Sequence, residues 1–132
     1  MLSDKQLLRY NRQILLHEFD VAGQESLQRS AVLVVGLGGL GSPAAMYLAA
    51  AGVGTLELAD DDRVDLSNLQ RQILHTSATV GQDKTASARV GLEALNPLVR
   101  LLVQNTLLQD EPLDAAIAAA DPAAGLEATI PF

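Results

Sequence analysis

The chain has 132 residues, 48% of them apolar, with a formal net charge of −7 and no cysteine. Such a length accommodates one domain with a modest core, and the acidic balance argues against nucleic acid as the main partner. Lack of cysteine excludes a disulfide framework and a thiolate metal site, and no apolar run reaches the roughly 18 residues that suggest a membrane span.

The opening stretch, "MLSDKQLLRYNRQILL", mixes charges among its leucines and lacks the apolar core of a signal peptide. A cytoplasmic protein without membrane association is expected. Residues 4–17 read as an amphipathic helix, with Leu7, Leu8, Ile14 and Leu15 sharing much of one face and Ser3 as its N-cap. A short second helix is expected near 24–29. It is followed by "AVLVVG", a continuous apolar run of the kind found in parallel strands covered on both faces.

Next, "GSPAAMYLAAAG" reads as a helix, with Pro43 in its first turn and Gly52 as its stop. "TLELAD" is a second strand. "VDLSNLQRQILH" contains a short helix in which Ser67 and Gln70 have the spacing of a capping box. Asp83 to Leu95 is another helix, ended by Asn96-Pro97, then "VRLLVQN" is a third strand and "LDAAIAAAD" a last helix. The ending "PAAGLEATIPF" continues neither the helical period nor the strand pattern, and Pro122 and Gly125 interrupt it. Alternating helices and strands predict an α/β fold with a Rossmann-like, doubly wound and mostly parallel sheet of about three strands.

Gly36, Gly38 and Gly41 satisfy G-x-G-x-x-G between the first strand and the helix that follows. The first glycine permits a tight turn, the second lets backbone amides approach a phosphate, and the third lets helix and strand pack closely. The positive end of the helix then faces an anion. Asp60 closes the second strand 19 residues after Gly41, where a carboxylate can accept hydrogen bonds from ribose hydroxyls. Downstream, Asn68, Arg71, Gln72 and His75 fall at i, i+3, i+4 and i+7, giving a helix one polar face, with Leu66, Leu69 and Ile73 opposite. Beside a phosphate loop, such a face suits the charge that develops as pyrophosphate leaves a triphosphate. A solvated helix face accounts for the same spacing equally well.

"RYNRQILL", "VLVVGLGGLGSPAAMYLAAAGVG", "ADDDRVDLSNLQRQILH" and "VGQDKTASA" together resemble the bacterial adenylyltransferases related to ubiquitin-activating enzymes, of the MoeB, ThiF and HesA types. The resemblance runs from about residue 3 to about Asp121. It implies use of ATP and Mg²⁺ to adenylate the C-terminal glycine of a ubiquitin-like sulfur-carrier protein, in molybdenum-cofactor or thiamine biosynthesis. It implies that Gly39 lies against the nucleotide, that Asp60 holds the ribose, and that Asn68, Arg71, Lys84 and Gln72 contact the phosphates. Arg12 resembles an arginine that reaches into the partner subunit's site, which implies a homodimer. The family pattern is longer and continues into a fourth strand, a magnesium-binding aspartate and zinc-binding cysteine pairs, so the sequence reads as an N-terminal portion. Its expected divisions are an N-terminal helical arm (1–30), a nucleotide-binding half (31–121) and a divergent tail (122–132). A nucleotide-binding module without catalysis and an NAD-dependent oxidoreductase are the competing readings.

Overall fold

The computed structural model describes residues 1–106 and the backbone of residues 126–131. The elements are α1 (Asp4–Arg9), α2 (Asn11–Ile14), α3 (Asp20–Gln28), β1 (Ala31–Val35), α4 (Gly41–Ala51), β2 (Thr55–Ala59), α5 (Lys84–Leu95), β3 (Arg100–Gln104) and β4 (Leu126–Pro131). Two short 3₁₀ turns, Leu66–Asn68 and Ser77–Thr79, lie between β2 and α5. The expected helix at 113–121 falls outside the described residues. Among those described, no helix is long and apolar enough to cross a membrane.

The sheet order is β3-β2-β1-β4, and every pairing is parallel. The α/β class and the first three strands follow the apolar runs read from the sequence. The fourth strand was not expected there. "LEATIP" alternates Leu126, Ala128 and Ile130 with Glu127 and Thr129, which is the period of a strand with one covered face. Pro122 and Gly125 lie outside it, and Pro131 sits at the end of an edge strand, where a missing N–H costs little. Consequently β1 is an inner strand paired on both sides, and the chain order reverses beside it.

One apolar cluster holds the sheet to α4 and α5. Val32 and Val34 of β1, Leu56 and Leu58 of β2 and Leu101 of β3 meet Ala45, Ala49, Ala88 and Leu92. Alanine at three of these helical positions lets the helix axes lie near the sheet, so the small side chains of the sequence become close packing rather than lost area.

The amphipathic helix expected over 4–17 is broken in two at Tyr10, whose φ of −100° and ψ of 13° leave the helical region. The ring of Tyr10 is buried beside Gly52, and its hydroxyl accepts from Asn96 Nδ2 at 2.9 Å. The break leaves Leu8, Leu15 and Leu16 on the surface. Ser3 caps α1 as expected, with Gln6 completing a capping box, and the second helix, α3, starts four residues earlier than its pattern suggested.

Candidate functional site

At the end of β1 the chain turns sharply. Gly36 continues the ladder by donating to Ala59 O at 2.8 Å and has φ of 95°, the left-handed region that glycine enters without strain. Leu37 then points into the core. Its N–H donates to Asp60 Oδ2 at 2.7 Å, and its carbonyl accepts from Ser42 Oγ at 2.8 Å and from His75 Nε2 at 3.0 Å. Asp60 also accepts from the N–H of Asp62 at 2.7 Å, so both carboxylate oxygens are engaged with backbone. In contrast, the N–H groups of Gly38, Gly39 and Leu40 find no acceptor among the described residues. Gly41, buried, begins α4.

Gly38 and Gly39 differ from Gly36 in one respect. Neither has positive φ, and a Cβ added to either would touch only Gln72 Nε2 at 3.7 Å or Arg71 Cδ at 3.8 Å. Those are ordinary van der Waals separations. Nothing in the fold itself requires glycine at these positions. The space left open beside them, lined by unpaired amide groups, is what a closely approaching anion uses.

The same two contacts bring Arg71 beside Gly39 and Gln72 beside Gly38. Arg71 is exposed and donates to Asn68 Oδ1 at 3.3 Å. Gln72 is buried, and its Oε1 has no partner among the described residues. A buried amide oxygen without a donor costs free energy on the order of 1–3 kcal/mol, a cost that persists where function needs the group.

This segment is not the helix its spacing suggested. After the short turn at Leu66–Asn68 it runs irregularly. Asp65, not Ser67, supplies the cap, accepting from the Ser67 N–H at 2.8 Å, so the expected Ser67–Gln70 box is absent. Instead of one shared polar face, Arg71 is exposed and Asn68 half-buried while Gln72 and His75 are buried, and Leu66 and Ile73 are exposed. The partners of the imidazole inside the fold outweigh the helical period.

Lys84, implied by the resemblance to contact the phosphates, is buried at the start of α5 with its Nζ 3.8 Å from Asp62 Oδ2. Its N–H donates to Asp62 O at 2.9 Å, and an antiparallel bridge joins Arg63 to Asp83. The segment that follows Asp60 thus leads directly into the docking of α5, with Lys84 against Asp62. Arg12 lies elsewhere. It is exposed on α2, whose Gln13 donates to the carbonyl of Ala51 at the far end of α4. An 11-residue helix is about 16 Å long, so the chain's own loop and its Arg12 occupy opposite ends of α4.

His75, placed by its spacing on the polar face with Asn68, Arg71 and Gln72, is buried under the loop. Nδ1 lies 2.8 Å from Ser87 Oγ on α5, and that hydroxyl lies 2.9 Å from Thr79 Oγ1. Burial holds the imidazole below its usual pKa and the charge of Lys84 acts in the same direction, while the Leu37 carbonyl and Asp60 oppose them. Among the described residues no group of three His, Cys, Asp or Glu is arranged to hold a metal ion. With Asp60 bound to amides and Asp62 to Lys84, these carboxylates do not form a cage for magnesium.

Residues 10–124 match the ThiF family. The chain belongs to that family. Among ThiF-family relatives, it is 58% identical to the molybdopterin-synthase adenylyltransferase of Escherichia coli K12 over 120 residues, which is 91% of this chain and 48% of that protein. Over 120 residues it is 51% identical to the E. coli sulfur carrier protein ThiS adenylyltransferase, again 91% of the chain and 48% of that protein. The chain therefore spans about half the length of these curated relatives. The crystal structure of E. coli tRNA N6-threonylcarbamoyladenosine dehydratase, TcdA, in complex with ATP superposes with a TM-score of 0.84 at 27% identity, covering 91% of this chain and 49% of that one.

Proposed function

We propose that the glycine loop binds ATP and that the chain forms the nucleotide-binding part of an adenylyltransferase acting on a ubiquitin-like sulfur-carrier protein. The observation that carries this reading is the pair Gly38–Gly39. They are glycine without a conformational need for it, next to free N–H groups and an arginine.

In this reading the N–H groups from Gly38 to Leu40 and the start of α4 receive the phosphates. Arg71, steadied by Asn68, and Lys84 add fixed positive charge as charge develops on departing pyrophosphate. Gln72 offers its buried amide beside Gly38. Asp60 accepts from the ribose with the lone pairs left after its two amide bonds, and Arg12 reaches the site of a second copy of the chain. ATP supplies the activating chemistry: a carboxylate oxygen of the carrier's terminal glycine attacks the α-phosphorus, the bond to the β-phosphate oxygen breaks, and pyrophosphate leaves. Magnesium would accompany the nucleotide. The names of the relatives support the sulfur-carrier substrate, and the ATP complex of TcdA supports the nucleotide.

The test is calorimetric titration of the folded chain with ATP·Mg²⁺, with NAD⁺ alongside. Micromolar binding of ATP over NAD⁺ is expected, followed by carrier-dependent exchange of pyrophosphate into ATP. Preference for NAD⁺ would turn the reading toward an oxidoreductase. Failure of a folded sample to bind either would remove the nucleotide site from this chain.

A further inference from the structure

His75 touches no solvent to speak of, yet makes two polar contacts that join three parts of the fold. Its Nε2 meets the carbonyl of Leu37, and its Nδ1 meets the hydroxyl of Ser87. A carbonyl has no hydrogen to give, so Nε2 carries the ring proton and donates it. The Ser87 hydroxyl donates its one hydrogen to Thr79 Oγ1, and its oxygen lies 2.8 Å from Nδ1. Ser42 Oγ donates to the same Leu37 carbonyl, and the N–H of Leu37 is held by Asp60.

The geometry of a peptide unit turns these contacts into a statement about the site. The chain has no cis peptide among its described residues, and in a trans unit the C=O and the following N–H point in opposite directions. Two buried donors hold the Leu37 carbonyl toward the interior. The N–H of Gly38 in the same plane therefore faces outward, into the open space beside Gln72. Without those donors the peptide could rotate, and the Leu37 oxygen would turn toward the incoming anion.

We infer that His75 is a positioning residue for phosphate recognition, holding the Leu37–Gly38 peptide so that the Gly38 N–H meets the anion and tying that orientation through Ser87 to the helix that carries Lys84. Phosphate recognition in this statement rests on the nucleotide reading above, whereas the orientation of the peptide does not. Ser87 lies one turn beyond Lys84 on α5, and its N–H donates to Asp83 O at 3.0 Å. The loop peptide and the helix that carries Lys84 are thus joined through one imidazole.

Three variants separate the contacts. His75→Phe keeps a ring and loses both polar groups. His75→Gln keeps a donor at the reach of Nε2, and His75→Asn keeps a polar group at the reach of Nδ1. Each is titrated with ATP and with adenosine, and the Gly38 amide is followed by ¹H–¹⁵N NMR. His75→Phe is expected to weaken ATP by about tenfold or more, the loss of one hydrogen bond to a charged group, with adenosine affected less than about twofold. His75→Gln should restore most of the ATP affinity and the wild-type Gly38 shift, and His75→Asn should restore neither. Equal weakening of ATP and adenosine, or rescue by Asn as good as by Gln, would overturn the assignment.

If His75→Phe does not fold, the Gln and Asn pair decides the matter alone. If the wild-type chain binds no ATP, the nucleotide reading falls by itself. The peptide assignment is then judged in the unliganded wild type, where the Gly38 amide must shift with the titration of His75; an amide that ignores that titration would end it.

Discussion

Two buried cationic or titratable side chains flank the loop, and each predicts a different balance of stability and binding. Lys84 is buried, but its only described ion-pair partner, Asp62, is exposed. Replacing a buried charge by an apolar chain of similar length removes a desolvation cost, while the carboxylate left behind remains hydrated. Lys84→Met is therefore expected to keep or raise the midpoint of thermal unfolding while weakening ATP by at least about tenfold, one charge-assisted contact. Differential scanning calorimetry and ATP titration on the same sample read both quantities. His75 gives a pH dependence. Its folded pKa lies below the ordinary value of 6.5, first because of burial, so between the two values the unfolded chain binds the proton more readily and stability rises with pH. The stabilisation is fully present above about pH 6.5 and is lost as pH falls through the lowered value. Urea unfolding at neutral pH and at pH about 5 should show a difference for the wild type that is smaller in His75→Gln, since glutamine does not titrate. An equal difference in both would assign the slope to other groups.

Among the elements, the two kinds of glycine in this chain make opposite predictions. Gly52 ends α4 with φ of 97°, and a Cβ there would lie 2.5 Å from Tyr10 Cζ and 2.7 Å from Gln24 Nε2. Gly52→Ala should cost about 2 kcal/mol or more, from left-handed strain of about 1–2 kcal/mol plus displacement of the Tyr10 ring. Gly38→Ala has neither penalty and is expected to leave the unfolding free energy within about 0.5 kcal/mol of wild type, while ATP binding falls because the methyl occupies the approach to the loop amides. Chemical denaturation of both variants, with ATP titration of the second, checks the contrast. These glycines also mark what the sequence made legible. Strand–glycine–helix punctuation located the loop, and the stop at Gly52 and the cap at Ser3 were visible because they depend on neighbouring residues alone. The helix over 4–17 and the polar face of Asn68, Arg71, Gln72 and His75 were misread because their outcome is set by distant partners. Tyr10 is held by Asn96, and His75 by Leu37 and Ser87. The tail was misjudged for a similar reason: an edge strand needs only alternation and an unpaired neighbour, and β1 provides the neighbour.

At the scale of the whole molecule, Arg12 poses the remaining problem. Its helix is fastened at the far end of α4 by Gln13, which bonds both Gln24 and the Ala51 carbonyl, and α3 packs on the same end with Gln24 on Ala51 O at 3.1 Å. In the proposed reading an arginine anchored there meets the glycine loop of another copy of the chain. The exposed Leu8, Leu15 and Leu16 around it are the apolar surface that an interface between copies would cover. This arrangement predicts complementation. Arg12→Ala and Arg71→Ala chains should each bind ATP weakly on their own. Mixed, unfolded and refolded together, half of the dimers pair one of each, and one site in every mixed dimer regains both arginines. About one site in four should then bind ATP with wild-type affinity, read as the stoichiometry of the tight phase in a calorimetric titration. If Arg12 instead served its own chain, no site in the mixture would hold both arginines and no tight phase would return. If the chain remained monomeric by analytical ultracentrifugation at the titrated concentration, Arg12 would have no route to any site, and its substitution should leave ATP affinity unchanged.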